Sequence, residues 1–419
     1  MIERQLTAWL NKVADRPQIV HIYGMRQTGK TTLMEGFRKA IPGHLHYPFQ
    51  NYVVLNRYRS DIERWIREIE ESLSRVETGK KLHVFVDEVQ KIPDIFHALQ
   101  GLYDSHKGNL KFWIWGSSAR PLKKKRAETL AGRFISRTLY PLAQSEILKQ
   151  DSVVPCLLEY PRYVSGINHL TPDNYEAFLN RCFRHSQLPE PFLADDIEAV
   201  DDLLEAYQAS YLENEIRREN LVMDIGIFTR FLRIAASENS SVVNYSSIAK
   251  DLAVSSPTVR TYQDILTDTF VTSHLNPYSS RIRIQVCKSP KVYFSDTGLA
   301  RFISGERGIP VRTGRIYGSL FECFVYNEIL KQKQYHHLPW DLYFLRTKTG
   351  TEVDLILSSG EMKCAIEVKC KEKISAEDYR GIEYLMSCDT SISFGIVISL
   401  QGAPLKLTDK IYNLPAWNL

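Results

Sequence analysis

The sequence predicts an α/β protein of several domains, and three observations carry that expectation. First, 419 residues exceed what one hydrophobic core organises. Second, the first 150 residues alternate apolar strand runs with helical patterns, as a parallel sheet covered by helices requires. Third, the apolar strands stop near residue 150, helical periodicity takes over, and strands return after residue 340 with turns at Gly350 and Gly360. The expected division is a parallel-sheet α/β core at 1–150, a helical connector at 151–235, a small helix-turn-helix domain with a β wing at 236–310, and a C-terminal α/β domain at 311–419.

A hydrophobic content of 44% beside 24% charged residues is that of an ordinary globular chain, so disorder is not expected. No apolar run reaches the ~20 residues of a spanning helix. The opening "MIERQLTAWLNKVADRP" reads as an amphipathic helix of mixed charge rather than a signal peptide, so a cytoplasmic location without membrane association is expected. Seven scattered cysteines with no CxxC pair suggest neither a disulfide framework nor a zinc site. The net charge of +4 permits nucleic-acid binding without requiring it, and the local run "RPLKKKR" at 120–126 concentrates the cations.

The stretch "IVHIYGMRQTGKTTL", residues 19–33, reads as strand, glycine-bounded loop and helix start. Its loop fits GxxxxGK[ST] at every fixed position. Glycines let successive N–H groups curl inward around phosphate oxygens, and the following helix adds its free N–H groups and positive dipole end. Gly24, Met25, Arg26, Gln27, Thr28, Gly29, Lys30, Thr31 and Thr32 are therefore the expected ATP-binding set, with Lys30 on the β- and γ-phosphates and Thr31 on Mg²⁺. "KLHVFVDEVQ" ends a buried strand in two acids. Asp87 is expected to hold Mg²⁺ and Glu88 to polarise the attacking water. "LKFWIWGSSAR" ends a further strand, where Ser117 or Ser118 is expected to sense the γ-phosphate. Arg133 in "TLAGRF" follows as an expected arginine finger, from the same chain or a neighbouring copy.

Together "GMRQTGKTTL", "VDEVQKIPDIF", "WGSSAR", "LAGRF" and "YPLAQSE" resemble the bacterial and archaeal AAA+ ATPases that carry a C-terminal domain of unknown function. The resemblance spreads over nearly the whole chain. It implies an AAA+ P-loop fold for the first domain, with ATP hydrolysis at the positions named.

In the middle, "DDIEAVDDLLEAYQASYLENEIRRENL" places Ile197, Val200, Leu203, Leu204, Tyr207 and Tyr211 on one helical face. Then a short helix ending near Ala253, a three-residue turn, and "SPTVRTYQDILTDTF" with Pro257 at its start predict a helix-turn-helix. Ile248, Leu252, Val254, Val259, Tyr262, Ile265 and Leu266 would share its core and leave Ser256, Thr258, Arg260 and Thr261 outward. Two β-rich runs around "YSSR" would make a wing bearing Arg281 and Arg283, and the second helix would enter a major groove of DNA.

The C-terminal region carries three acids and a lysine. In "TEVDLIL" Asp354 faces away from Val353 and Leu355, and in "AIEVK" Glu367 and Lys369 share a face. Glu322 would reach in from the preceding helix "GSLFECFVYNEILKQ". Carboxylates so placed would bind one or two Mg²⁺ ions against a scissile phosphate, and the lysine would orient water. The D…ExK spacing resembles the restriction-endonuclease-like fold of the PD-(D/E)xK phosphodiesterases, although Val353 stands where the motif has proline. The expected metal set is Glu322, Asp354 and Glu367, with Asp354, Glu367 and Lys369 catalytic.

The sequence thus predicts an ATP- and Mg²⁺-dependent ATPase, self-associating, that binds DNA through the winged helix and cleaves it in the C-terminal domain, with room for a further protein partner. The alternative is a nucleotide-switched regulator or scaffold in which winged helix and nuclease-like fold only bind.

Overall fold

The computed structural model describes residues 2–92, 94–117, 132–163, 172–217, 221–278 and 288–419. The basic run at 120–126, Ser118, and the wing residues Arg281 and Arg283 lie outside the described residues. The chain forms two compact units, Met1–Tyr140 with Asp268–Phe270, and Pro141–Thr267 with Val271–Leu419.

In the first unit, α1 (Leu6–Val13) leads into β1 (Ile19–Tyr23), then α2 (Lys30–Lys39), β2 (Leu45–Pro48), α3 (Tyr52–Arg59), α4 (Ile62–Ser74), β3 (Leu82–Asp87), α5 (Ile95–Ser105), β4 (Leu110–Gly116) and β5 (Phe134–Thr138). The five strands are all parallel, in the order β2-β3-β4-β1-β5. Alternation along β4 feeds two cores. Phe112 and Ile114 join Trp65, Ile69, Leu99 and Leu102 on one face, while Trp113 meets Phe37 of α2 edge-on at 4.6 Å on the other. The fully buried Lys111 donates to the carbonyls of Val13, Arg16 and Gln18 at 2.8–2.9 Å. It thereby satisfies the acceptors left open after α1 and pins that turn to β4. Burial pushes its ammonium down to about 7.

The second unit opens with α6 (Gln144–Leu148), α7 (Pro172–His185), α8 (Pro189–Leu193), α9 (Ile197–Tyr211) and α10 (Ile225–Ser237). It continues through β6 (Ser241–Val242), α11 (Tyr245–Leu252), α12 (Ser256–Asp268), β7 (Thr272–Pro277), β8 (Lys291–Phe294), α13 (Thr297–Ser304) and α14 (Arg315–Tyr335). The last elements are β9 (Asp341–Arg346), β10 (Glu352–Ser359), β11 (Met362–Lys369), α15 (Arg380–Cys388), β12 (Ile392–Ser399), β13 (Leu405–Lys406) and β14 (Ile411–Pro415). The turns flanking β10 use Gly350 at φ 95° and Gly360 at φ 59°, where a side chain would be strained.

Two expected boundaries move. The segment after Tyr140 packs with the second unit instead of ending the first at residue 150, because its polar side chains are buried there. Gln144 donates to the carbonyls of Ala416 and Leu419, and Gln332 of α14 donates to Ser145. The boundary at 310 also disappears. One nine-stranded sheet, β13-β14-β12-β11-β10-β9-β7-β8-β6, runs through it, since β7 pairs in parallel with β9 at Asn276↔Tyr343 and Pro277↔Phe344. In α9 the buried face is Val200, Leu204, Tyr207 and Tyr211, while Ile197 in its first turn is 53% exposed.

At the centre of the second unit Glu328 and Lys331 of α14 form a fully buried ion pair of 2.8 Å. Glu328 also accepts from the Gln144 amide and the Gln187 side chain, and Lys331 donates to the Leu142 carbonyl. Removing one partner strands the other's charge away from water. Glu328→Ala is expected to cost about 3–5 kcal/mol, read as a lowered denaturation midpoint of the second unit. A Glu328→Met/Lys331→Met double variant is expected to lose less than the single one.

Candidate functional site

The phosphate-type loop sits between β1 and α2, and its backbone needs its glycines. Gly24 has φ +148°, and a Cβ there would stand 2.2 Å from the Leu139 carbonyl oxygen. Gly29 has φ +89° and is the residue from which α2 starts. Gln27 is also left-handed, at φ 59°. The ammonium of Lys30, 6% exposed, donates to the carbonyls of Gly24 and Met25 at 2.8 and 2.6 Å. Thr28 donates to Met25, and Arg4 from the N-terminal segment donates to the Thr28 carbonyl at 2.6 Å. Arg4 is a loop-holding residue the sequence reading missed, since nothing local marks an arginine 24 positions away. Thr31 is half-buried and Thr32 exposed on the first turn of α2.

Strand order brings the acids to this loop. In β3, β4 and β1, Asp87 pairs with Trp115 and Gly116 with Tyr23, so Asp87, Ser117 and Gly24 lie at one edge of the sheet, the C-terminal ends of their strands. Asp87 is 1% exposed and its oxygens have no side-chain hydrogen-bond partner. Burial, then the neighbouring Glu88 carboxylate, pushes its carboxyl up to about 7. A buried acid whose upward shift Lys30 and Lys91 only partly offset fits a divalent cation, with Thr31 in the first turn of the helix that follows the loop. Glu88 turns into the left-handed region, φ 50°, and its carboxylate accepts from Gln90 at 2.5 Å. Gln90 has room because residue 116 is glycine, where a Cβ would stand 2.2 Å from its Oε1. Gln90 and Gly116 are therefore positioning residues within motifs that the sequence reading assigned only to the acids and the serine.

Arg133 does not approach this edge. It precedes β5, its carbonyl accepts from the Ile19 amide at the start of β1, and its guanidinium pairs with Asp104 at 2.8 and 2.9 Å. The length of β1, roughly 15 Å, separates it from the phosphate loop. The within-chain arginine finger is thus corrected: Arg133 pairs across the opposite edge of the sheet.

A second constellation lies in a cleft of about 890 Å³ in the second unit, lined by Lys291, Glu322, Glu352, Asp354, Glu367 and Lys369. Its centre is Lys291 of β8, 2% exposed, whose ammonium lies 2.6 Å from Glu322, 2.8 Å from Glu352 and 3.4 Å from Asp354. Burial works against its charge, but the three carboxylates outweigh burial and raise its pKa. Burial pushes Glu322 up to about 7, with Lys291 and the Tyr293 hydroxyl holding it back. For Asp354 burial would raise the carboxyl, yet Lys291, Lys369 and the Val368 amide hold it below the usual range. Glu367 is pushed well up by burial and by Asp354, and it accepts from Lys369 at 2.9 Å. Burial and the neighbouring charges thus push the two carboxyls in opposite directions, Glu367 up and Asp354 down. Gly381 at the start of α15 allows this packing, since a Cβ there would stand 2.6 Å from Glu367 Oε1.

The expected metal set Glu322, Asp354 and Glu367 is therefore arranged otherwise. Among the described residues no group of three or more His, Cys, Asp or Glu is placed to hold a metal ion. An ammonium, Lys291, stands among the acids instead. The sequence reading missed Lys291 and Glu352, although Glu352 shares the Asp354 face of β10.

Comparison with known proteins bears on the first site. Residues 16–148 match the AAA domain family. This supports an AAA-type ATPase core in the first unit. Residues 179–308 and 317–419 match two domains of unknown function, DUF8612 and DUF4143. An uncharacterized protein of Mycobacterium tuberculosis is 26% identical over 371 residues, 88% of this chain and 74% of its own. One from Methanocaldococcus jannaschii is 24% identical over 427 residues, 96% and 84% of the two chains. Among solved structures, a Walker-type ATPase of Pyrococcus abyssi aligns with a TM-score of 0.44 at 15% identity, covering 72% of this chain and 96% of that one. No helix among the described residues is long and apolar enough to cross a membrane.

The raised Asp87 carboxyl carries a stability signature. The folded state binds its proton more tightly than the unfolded chain, whose value is near 3.8, so this stabilisation is complete below that pH and lost as pH rises to about 7. Asp87→Asn is expected to raise the nucleotide-free melting temperature more at pH 8 than at pH 5, measured by differential scanning calorimetry.

Proposed function

We propose that the protein is an Mg²⁺-dependent ATPase whose nucleotide cycle governs a nucleic-acid-binding second unit. The observation that carries the reading is the meeting of the Gly24–Thr31 loop and the buried Asp87 at one edge of a parallel sheet. ATP supplies the phosphate chain that hydrolysis cleaves. Lys30 and the loop amides would bind that chain, Thr31 and Asp87 would hold Mg²⁺, and Ser117 is set between them. Glu88, oriented by Gln90, would take the proton of the attacking water. Arg133 is left with a role only toward the site of a neighbouring copy, which fits a self-associating protein.

The helix pair α11–α12 followed by β7 and β8, with β6 closing the small antiparallel sheet, supports a winged helix. Ala253 makes the turn at φ 54°, and Ser255 caps α12 through the Thr258 amide. Arg260 and Thr261 are exposed on α12, a face suited to DNA. The C-terminal acids do not support cleavage, because the Lys291 ammonium stands among them where a metal ion would and no metal-holding group of His, Cys, Asp or Glu is formed among the described residues.

Two experiments test this. Lys30→Ala is expected to abolish ATP binding, and Glu88→Gln to bind ATP but hydrolyse it at least ~10²-fold more slowly; wild-type turnover in Glu88→Gln would remove Glu88 from the mechanism. Calorimetric titration of the full chain carrying Lys30→Ala with Mn²⁺ is expected to show no binding that depends on Asp354. Binding lost on Asp354→Ala would restore the metal-dependent cleavage reading.

A further inference from the structure

A separate cleft of about 470 Å³ lies between the helix-turn-helix and the turn joining β9 to β10. Ser246, Ser256, Arg260, Ser289, Arg346 and Lys348 line it, and no carboxylate stands among its described lining residues. Its three cations come from different places in the chain: α12, the end of β9, and the turn.

Among the described residues none of the three is paired with a carboxylate closer than 4.0 Å. The Arg260 guanidinium lies 4.0 Å from the centre of the Tyr245 ring, a contact that fixes its direction and keeps its charge. Tyr245 is itself 8% exposed and does not move aside. Lys348 rides on a tight turn closed by Thr347 N to Thr351 O at 2.9 Å, Gly350 N to Thr347 O at 3.1 Å and Thr351 N to Thr347 Oγ1 at 3.0 Å. Arg346 has its nearest carboxylate, Glu352, 4.0 Å away, the outer limit of an ion pair. The hydroxyls of Ser246 and Ser256 stand in the first turns of α11 and α12, so two helix starts add their dipoles to the same space.

Three cations, the Ser256 hydroxyl and no acid in the lining select an oxyanion of high charge density, which is phosphate chemistry. The cleft lies between the starts of α11 and α12, the helix that crosses the duplex backbone and the helix that enters the groove in a helix-turn-helix. Arg346 also lines the larger acid cleft, so the two open onto a common residue. We propose that this cleft grips the phosphate backbone of nucleic acid between α12 and the β9–β10 turn, with Arg260 on phosphate rather than on a base. The inference rests on the nucleic-acid reading for the source of the phosphates.

The test uses the full chain carrying Lys30→Ala, which removes the ATPase loop as a second phosphate binder, with and without Arg260→Ala/Lys348→Ala. Both added positions are exposed, so an unchanged melting temperature is the folding check. Affinity for a mixed-sequence DNA duplex is measured across a salt series, and pyrophosphate binding by calorimetry. The double variant is expected to flatten the log affinity against log salt slope by about 2 and to lose pyrophosphate binding. An unchanged slope and unchanged pyrophosphate affinity would overturn the cleft while leaving DNA binding intact. Pyrophosphate binding lost in the double variant, with no DNA binding by the parent, would overturn the backbone assignment and assign the cleft to a free phosphate ligand. Absence of both would overturn the cleft and the nucleic-acid reading together.

Discussion

The ion pair between Glu328 and Lys331 organises the second unit, because neither charge is tolerable there without every partner in place. Glu328 takes hydrogen bonds from Gln144 and Gln187 as well as from Lys331, and Lys331 reaches the Leu142 carbonyl. Gln187 in turn shares Leu142 with it and donates its amide to Asp296. Segments around residues 142, 187, 296 and 328 are thus fixed relative to one another by polar groups whose alternative is an uncompensated buried charge. Such a network narrows the arrangements the helices can take, since an apolar core tolerates sliding that a hydrogen-bonded carboxylate does not.

The same logic separates the two acid clusters. At Asp87 burial and the Glu88 carboxylate outweigh the pull of Lys30 and Lys91, and the carboxyl moves up. Asp354 has burial with two ammonium groups, and its carboxyl moves down. Two buried aspartates therefore carry opposite protonation tendencies, and the difference lies in how strongly the cations the fold supplies act on each. In the second site the strongest of them is Lys291 on β8.

What the sequence disclosed follows the range over which each feature is encoded. The phosphate loop was legible because its glycines, lysine and threonine act within eight consecutive residues. Asp87 was legible because an apolar strand ending in acids needs no knowledge of its neighbours. Arg133 was misread as a finger for its own chain's loop because sheet order and strand direction, which put it at the far edge beside Asp104, are not local properties. Lys291 was invisible for a similar reason: it stands 63 positions before Asp354 on a four-residue strand, and only the β7–β9 pairing brings them together. The sheet that continues across residue 310 was hidden too, since strand pairing leaves no trace in composition. Tyr245 likewise appeared as core in neither periodicity nor motif, yet it directs Arg260.

The join between β7 and β9 has a mechanical consequence. It comprises two residue pairs, one of them through Pro277, which has no amide hydrogen to donate, followed by the Tyr278 amide on the Phe344 carbonyl at 2.7 Å. So short a seam would let the small antiparallel ribbon of β6, β7 and β8 swing against the larger half of the sheet. Lys291 and the stacked rings of Tyr293 and Tyr326, 4.0 Å apart, act as rivets across it, one electrostatic and one aromatic. The residue that fills the acid cluster is therefore also the one that keeps the ribbon aligned, and loosening either would loosen both.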